Sequence, residues 1–189
     1  IWKPKELNTF ETEWGFSCMS YEISGALGIK MAKPDQDVIV FVGDGSYLLQ
    51  NSDIYSSVLY DKKLIIVVCD NGGHMVINRL QLAKGGNEYL CNLNAARATN
   101  VQFVDFEAHA KSMGANGETV KSISELEAAF IRAKESDKTY VISMKTDGYE
   151  WLEGSAFWES PTLEIHSTSE NKKAYQEFIK GKNKQRKGI

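Results

Sequence analysis

Apolar residues recur along this chain at two periods, and the alternation between them outlines a fold. Met19, Ile23, Leu27 and Met31 return every fourth residue, which predicts one apolar helix face closed by Pro34-Asp35. Residues 37–42 (Asp-Val-Ile-Val-Phe-Val) then form a continuous apolar run, the mark of a strand buried on both faces. It leads straight into Gly43-Asp44-Gly45-Ser46. Helix is expected over residues 51–60, followed by a second continuous strand over residues 64–69 and a turn cluster, Asp70-Asn71-Gly72-Gly73. Residues 75–82 read as helix broken by Lys84-Gly85-Gly86-Asn87, and residues 106–113 as a short helix stopped by Gly114. Ser124 with Glu127 predicts a capping box for a helix running to about Lys134. Residues 139–144 form a third apolar strand, residues 149–160 an aromatic loop and residues 170–180 a last helix. Strands separated by helices imply right-handed crossovers. The expected class is α/β: a three-layer, doubly wound, mainly parallel sheet with helices on both faces.

Length and charge narrow the picture. The 189 residues suit one ordinary domain plus a tail, divided here as residues 1–165 and a C-terminal helix and basic tail over residues 166–189. Net charge is −3, which argues against nucleic acid as a partner. The charge is uneven. From Asn171 onward seven basic residues face one acid, Glu177, giving +6 and leaving −9 on the rest. A solvated helix end is the plainer reading of that tail, beside polyanion binding. Mean hydropathy is −0.34 and the longest apolar run is Leu64 to Cys69, far short of the roughly 20 residues of a membrane span. Three cysteines (Cys18, Cys69, Cys91) without a C-x-x-C pair argue against a disulfide framework or a zinc site and fit a reducing cytoplasm. Ile1-Trp2-Lys3 reads as the start of a trimmed piece.

The candidate chemistry sits at two strand ends, where open parallel sheets bind ligands. Gly43-Asp44-Gly45-Ser46 offers a carboxylate for a hard cation, glycines that let backbone approach, and a helix start whose N–H groups suit an anion. Asp70-Asn71-Gly72-Gly73 offers a side-chain amide and exposed carbonyls. Together these oxygens suit Mg²⁺: Asp44, Asn71 and one carbonyl, completed by a diphosphate and water. Leu48 stands where a dinucleotide fingerprint needs its third glycine, and no Walker lysine follows. Nothing reads as a Ser-His-Asp triad or a paired-carboxylate glycosidase site. A plain β-turn of common turn residues is the competing reading of Gly-Asp-Gly, weakened by the second, Asn-bearing turn.

Gly43-Asp44-Gly45, 24 intervening residues and then Asp70-Asn71 resemble the signature of thiamine diphosphate-dependent enzymes, with Asp70 in place of the first Asn of the usual pair. Gly15-Phe16-Ser17-Cys18-Met19-Ser20-Tyr21-Glu22-Ile23 and Ala26-Leu27-Gly28 are similar to the cofactor-facing segment of the acetolactate synthase-like members. That fuller wording, with Ile77-Asn78-x-Leu80-Gln81, Asp147-Gly148-Tyr149-Glu150-Trp151 and Lys173-Ala174-Tyr175, looks most like the branch that hydrolytically opens a cyclic 1,2-diketone, a trihydroxycyclohexane-1,2-dione, in myo-inositol catabolism.

The resemblance implies thiamine diphosphate and Mg²⁺ as cofactors. It implies that Asp44, Asn71 and the Gly73 carbonyl hold the metal, and that the Gly45 and Ser46 amides and the backbone around His74 and Met75 receive the diphosphate. Met19 would prop the cofactor into its bent shape, with the Ser17 carbonyl and Met19 amide on the pyrimidine edge. Core packing is the alternative for Met19. His74 reads as a diphosphate-side spectator, while His109 and His166 read as surface or packing residues. Trp151, Phe157 and Trp158 would cap a substrate pocket or fill an interface. The activating Glu of such enzymes lies on a separate pyrimidine-binding domain, usually of a second subunit. No room for such a domain is expected in this chain, and the intact protein is expected to be a homo-dimer or tetramer acting on a small molecule. The alternatives are an acetolactate synthase-like carboligase and a non-catalytic binding module.

Overall fold

The computed structural model of the chain describes residues 3–13, 15–16, 18–97, 100–151, 162 and 164–185. In chain order the elements are α1 (Tyr21–Ala32), β1 (Ile39–Gly43), α2 (Asp44–Leu49), α3 (Ser52–Leu59), β2 (Ile65–Asp70), α4 (Met75–Ala83), α5 (Phe106–Ser112), β3 (Asn116–Val120), α6 (Ile123–Glu135), β4 (Tyr140–Lys145) and α7 (Ser169–Lys182), with a short 3-10 turn at Leu93–Ala95. They form two compact units. One joins the residues up to Asp70 with Phe103–Thr146; the other joins Asn71–Gln102 with the residues from Asp147 onward.

The first unit holds a four-stranded, wholly parallel sheet in the order β1-β2-β4-β3. Helices cover both faces, as expected. On one face α1, α3 and α5 bring Ile23, Ala26, Ile54, Phe106 and Ala110 against Val40, Val42, Ile66, Val68 and Val141. On the other, α6 brings Ala129 and Ala133 against Ile65, Val120 and Ile142. The division follows from handedness. The chain moves one way across the sheet from β1 to β2 and on to β3, then steps back to β4. A right-handed crossover moving backwards must pass on the opposite face, and α6 does so.

The apolar periodicity is realised with three instructive shifts. β1 is exposed on one side, with Ile39 and Phe41 open (Phe41 50% exposed) and Val40 and Val42 buried. A continuous apolar run marks a doubly buried strand only where both faces are covered, and β1 lies at the edge of the described sheet. β2, in the middle, is buried almost throughout, as its run predicts. In α1 the buried face is Ile23, Ala26 and Lys30, with Leu27 packed against the core, while Met31 is exposed. Steps of four residues overshoot one helical turn by about 40° each, so a strict four-residue stripe rotates off the core. Lys30 is tolerated in the buried stripe because its ammonium donates to the Pro34 and Gln36 carbonyls, at 2.7 and 2.6 Å, and closes the helix end. The cap of α6 is Ser122 rather than Ser124. Ser122 Oγ accepts from the Glu125 amide and Glu125 reaches back to the Lys121 amide, a reciprocal pairing one cap earlier.

β3 was not legible as a strand. Asn-Gly-Glu-Thr-Val carries one strongly β-forming apolar residue, and its strand state is imposed by its neighbours. Gly117 lets α5 approach so closely that a Cβ there would stand 3.0 Å from the Glu107 carbonyl oxygen. Glu118 accepts from Nε and Nη2 of Arg132 on α6 and from the Tyr140 hydroxyl.

Candidate functional site

The first unit delivers its chemistry at the carboxyl ends of β1 and β2. Gly43 pairs in register with Cys69, so Asp44 and Asp70 are the next residues of two adjacent parallel strands. Both carboxylates are withdrawn from water, at 3% and 7% exposure. Gly43 is extended, and the chain turns directly into α2 at Asp44, putting Gly45 in a buried position and Ser46 in a half-buried one. Gly-Asp-Gly is therefore a strand-to-helix junction rather than a β-turn. Tyr47 anchors that junction. Its ring is fully buried edge-on to Phe106, its hydroxyl lies 2.9 Å from His109 Nδ1, and burial pushes its acidity far out of the working range. His109 is thus a packing residue, as its sequence position suggested. Burial likewise raises the Cys69 thiol, and the Asp44 carboxylate raises it further, which keeps the sulfur neutral.

Asp70 has a countercharge. Lys145, its register partner on β4, places Nζ 2.5 Å from Asp70 Oδ2, and the same ammonium lies 4.9 Å over the Phe103 ring. This pair was not anticipated. The signal lay in the substitution of Asp for Asn at residue 70, which asks for a cation that only the strand register could identify.

Asn71, Gly73, His74 and Met75 of the predicted residues belong to the second unit. Gly72 and Gly73 have φ of +85° and +137°, conformations that side chains resist. The turn is pinned from outside: the Leu93 amide donates to the Gly72 carbonyl, the His74 amide to the Cys91 carbonyl, and Gly73 bridges Asn92. A Cβ at Gly73 would overlap the Cys91 carbonyl oxygen. Asn71 is half-buried ahead of the turn and Met75 is buried behind it, opening α4. His74 Nδ1 and Asn78 Oδ1 are buried polar atoms without a hydrogen-bond partner.

Asn92, Asn78 and Tyr149 converge on Glu88. The Tyr149 hydroxyl donates to Glu88 Oε1 at 2.7 Å, Asn78 Nδ2 at 2.9 Å and Asn92 Nδ2 at 3.3 Å. These donors, Tyr149 foremost, hold the Glu88 carboxyl below the usual carboxylate range, and the same bond raises the Tyr149 phenol. Sequence reading singled out Tyr149 but missed Glu88 and Asn92, which lie in an unpatterned loop.

Other candidates fall out as follows. Met19 is 40% exposed just before α1, so it is not a core residue. Ser17, Phe157 and Trp158 lie outside the described residues. Trp151 carries the Arg79 guanidinium 4.6 Å over its ring, and the His166 ring lies 4.9 Å from that of Tyr175. Among the described residues no three His, Cys, Asp or Glu side chains gather as a metal site, and no helix is long and apolar enough to cross a membrane. The predicted metal donors are of another kind, one carboxylate, one amide and one peptide carbonyl. Oxygen donors of these kinds, the buried Asp44 carboxylate among them, are the chemistry a hard divalent cation with a phosphate ligand takes.

Comparison with known proteins identifies the family. Residues 1–144 match the family described as thiamine pyrophosphate enzyme, C-terminal TPP binding domain. The 3D-(3,5/4)-trihydroxycyclohexane-1,2-dione hydrolase of Shouchella clausii (strain KSM-K16) is 37% identical over 182 residues, 93% of this chain and 28% of its own length. The proteins of that name from Bacillus subtilis (strain 168) and Lacticaseibacillus casei are 35% and 36% identical, over 93% and 96% of this chain and 28% of their own lengths. The chain thus spans 28% of the length of these curated relatives. A solved structure, the Rhodococcus jostii RHA1 thiamine diphosphate-dependent 4-hydroxybenzoylformate decarboxylase, shares the fold, with a TM-score of 0.59 at 23% identity over 68% of this chain and 23% of that one. The strand-end turns, the parallel sheet and the family match lead to one assignment: this chain belongs to the thiamine pyrophosphate enzymes, as a C-terminal TPP-binding domain.

Proposed function

We propose that the protein carrying this chain is a thiamine diphosphate- and Mg²⁺-dependent hydrolase that cleaves a C–C bond in a polyhydroxylated cyclic 1,2-diketone. The observation that carries the substrate is the identity of 34–37% to five proteins named 3D-(3,5/4)-trihydroxycyclohexane-1,2-dione hydrolase, each over 93% of this chain. Bound thiamine diphosphate supplies the nucleophilic carbon and the electron sink.

The chain's own part is to bind and orient. Asp44, the Asn71 side chain and the Gly73 carbonyl hold Mg²⁺, and the Gly45 and Ser46 amides with the backbone at His74 and Met75 hold the diphosphate. Asp44 lies buried at the start of α2, and its carboxylate is the kind of oxygen donor a hard cation takes. Met19, exposed rather than packed, is available to support the cofactor from outside the core. The segment over residues 1–165 serves as the cofactor domain. The activating carboxylate is supplied by a pyrimidine-binding domain of a second subunit in a homo-dimer or tetramer, in the cytoplasm.

Two measurements test the reading. Asp44→Ala in the intact protein abolishes Mg²⁺-dependent thiamine diphosphate binding and leaves the fold in place; unchanged affinity by calorimetry in a folded variant defeats the metal assignment. Ring opening of the cyclohexane-1,2-dione is faster than condensation of pyruvate, and acetolactate formation without ring opening assigns the protein to the carboligases instead.

A further inference from the structure

We propose that Lys145 is a positioning residue for the cofactor: by neutralising Asp70 at the end of β2, it lets an acid stand directly before the Asn71 turn without repelling the diphosphate. The inference rests on the cofactor reading above and concerns a residue outside its ligand set.

The argument begins with register. Gly43 and Cys69 are paired across β1 and β2, so Asp44, the first residue of α2, and Asp70, the last of β2, come next along two neighbouring strands whose backbones lie about 4.8 Å apart. Both are almost wholly withdrawn from solvent. Two buried acids at neighbouring strand ends, where the cofactor reading sets a diphosphate, oppose that ligand unless one is compensated within the fold. β4 lies on the other side of β2, and its register sets Lys145 opposite Asp70. The ammonium reaches the carboxylate at 2.5 Å although Lys145 itself is 66% exposed in its side chain, so the lysine leans inward to an acid that is 9% exposed. Phe103 lies under the same ammonium at 4.9 Å and restricts its alternatives. The backbone repeats the link one residue on, where the Thr146 amide donates to the Asp70 carbonyl at 2.9 Å. Lys145 therefore belongs to Asp70 as a unit. An Asn at residue 70 would not need the lysine, and the lysine without Asp70 would be surplus.

The test is a rescue experiment on the intact protein: Lys145→Met, Asp70→Asn, the double variant Lys145→Met/Asp70→Asn, and Lys145→Arg. Thiamine diphosphate affinity at saturating Mg²⁺ is measured by calorimetry, and thermal unfolding is followed without cofactor. Lys145→Met weakens the cofactor by on the order of tenfold, the scale of one uncompensated charge near a partly buried site. Asp70→Asn in the Lys145→Met background restores both affinity and thermal stability, and Lys145→Arg retains both. Parental affinity in Lys145→Met overturns the inference, and so does a double variant as weak as Lys145→Met. Should Lys145→Met fail to fold, recovery of folding in the double variant supports the pair and its absence overturns it. The cofactor reading stands or falls separately, on Asp44→Ala, and the cofactor-free rescue is read whatever that variant shows.

Discussion

At Gly73 the turn accepts a φ of +137° and closes against the Cys91 carbonyl, so the backbone shape and the missing Cβ are both needed. Gly73→Ala is expected to cost about 1–3 kcal/mol from the backbone conformation alone, read as a lower urea midpoint. Because the clash pushes the turn away from Cys91, cofactor affinity is expected to fall with it. Glu88 makes a prediction in pH. Its folded carboxyl titrates below the ordinary carboxylate value because Tyr149, Asn78 and Asn92 donate to its ionised form. Its contribution to stability is therefore complete above the unfolded value, about 4.3, and is lost as pH falls through the depressed folded value. Glu88→Gln is expected to flatten that acid limb; urea unfolding series between about pH 5 and about pH 3 check it, and an unchanged slope would remove Glu88 from the account.

Among the elements, α3, β2 and β4 meet at a buried hydroxyl pair. Ser57 Oγ lies 2.6 Å from Thr139 Oγ1, which also accepts from the Leu64 amide at 3.1 Å. Thr139→Val keeps the shape and strands the buried Leu64 amide, while Ser57 Oγ keeps its bond to the Ile54 carbonyl, for an expected loss of about 1–3 kcal/mol in denaturant unfolding. Ser122→Ala removes the α6 cap at a cost of about 1 kcal/mol, whereas Ser124→Ala, at the cap expected from sequence, is expected to be near neutral. The same contrast explains what could be read in advance. β2 and β4 announce themselves because each carries a run of consecutive apolar residues, Ile65 to Cys69 and Tyr140 to Ile142, on a strand with neighbours on both sides. The Asp44 and Asn71 turns were legible because strand ends concentrate glycine and oxygen donors. β3 was not, since Gly117 and Glu118 are fixed by what α5, α6 and Tyr140 present to them. Lys145 and Glu88 were missed because Asp70 and Tyr149, their foremost partners, are remote in sequence and carry no local pattern.

For the whole molecule, the open side of β1 has a consequence in solution. Ile39 and Phe41 expose apolar surface on a strand that is an edge among the described residues, a combination that favours pairing with other chains. This chain on its own is expected to sediment as more than a monomer, and Phe41→Lys to shift it toward the monomer; a monodisperse parental chain in light scattering would contradict the assignment of that surface. The strand order carries a different message, about time. Among the described strands β4 is the last to be made, yet it lies between β2 and β3 and hydrogen-bonds to both. On a ribosome, β1 and β2 can join early, while β3 leaves the tunnel with nothing to pair with until residues 140–145 follow. The sheet is thus completed by insertion rather than by growth at an edge. Nascent chains arrested before residue 140 should remain protease-sensitive around β3, and the window of exposure is set by the rate at which α6 is translated.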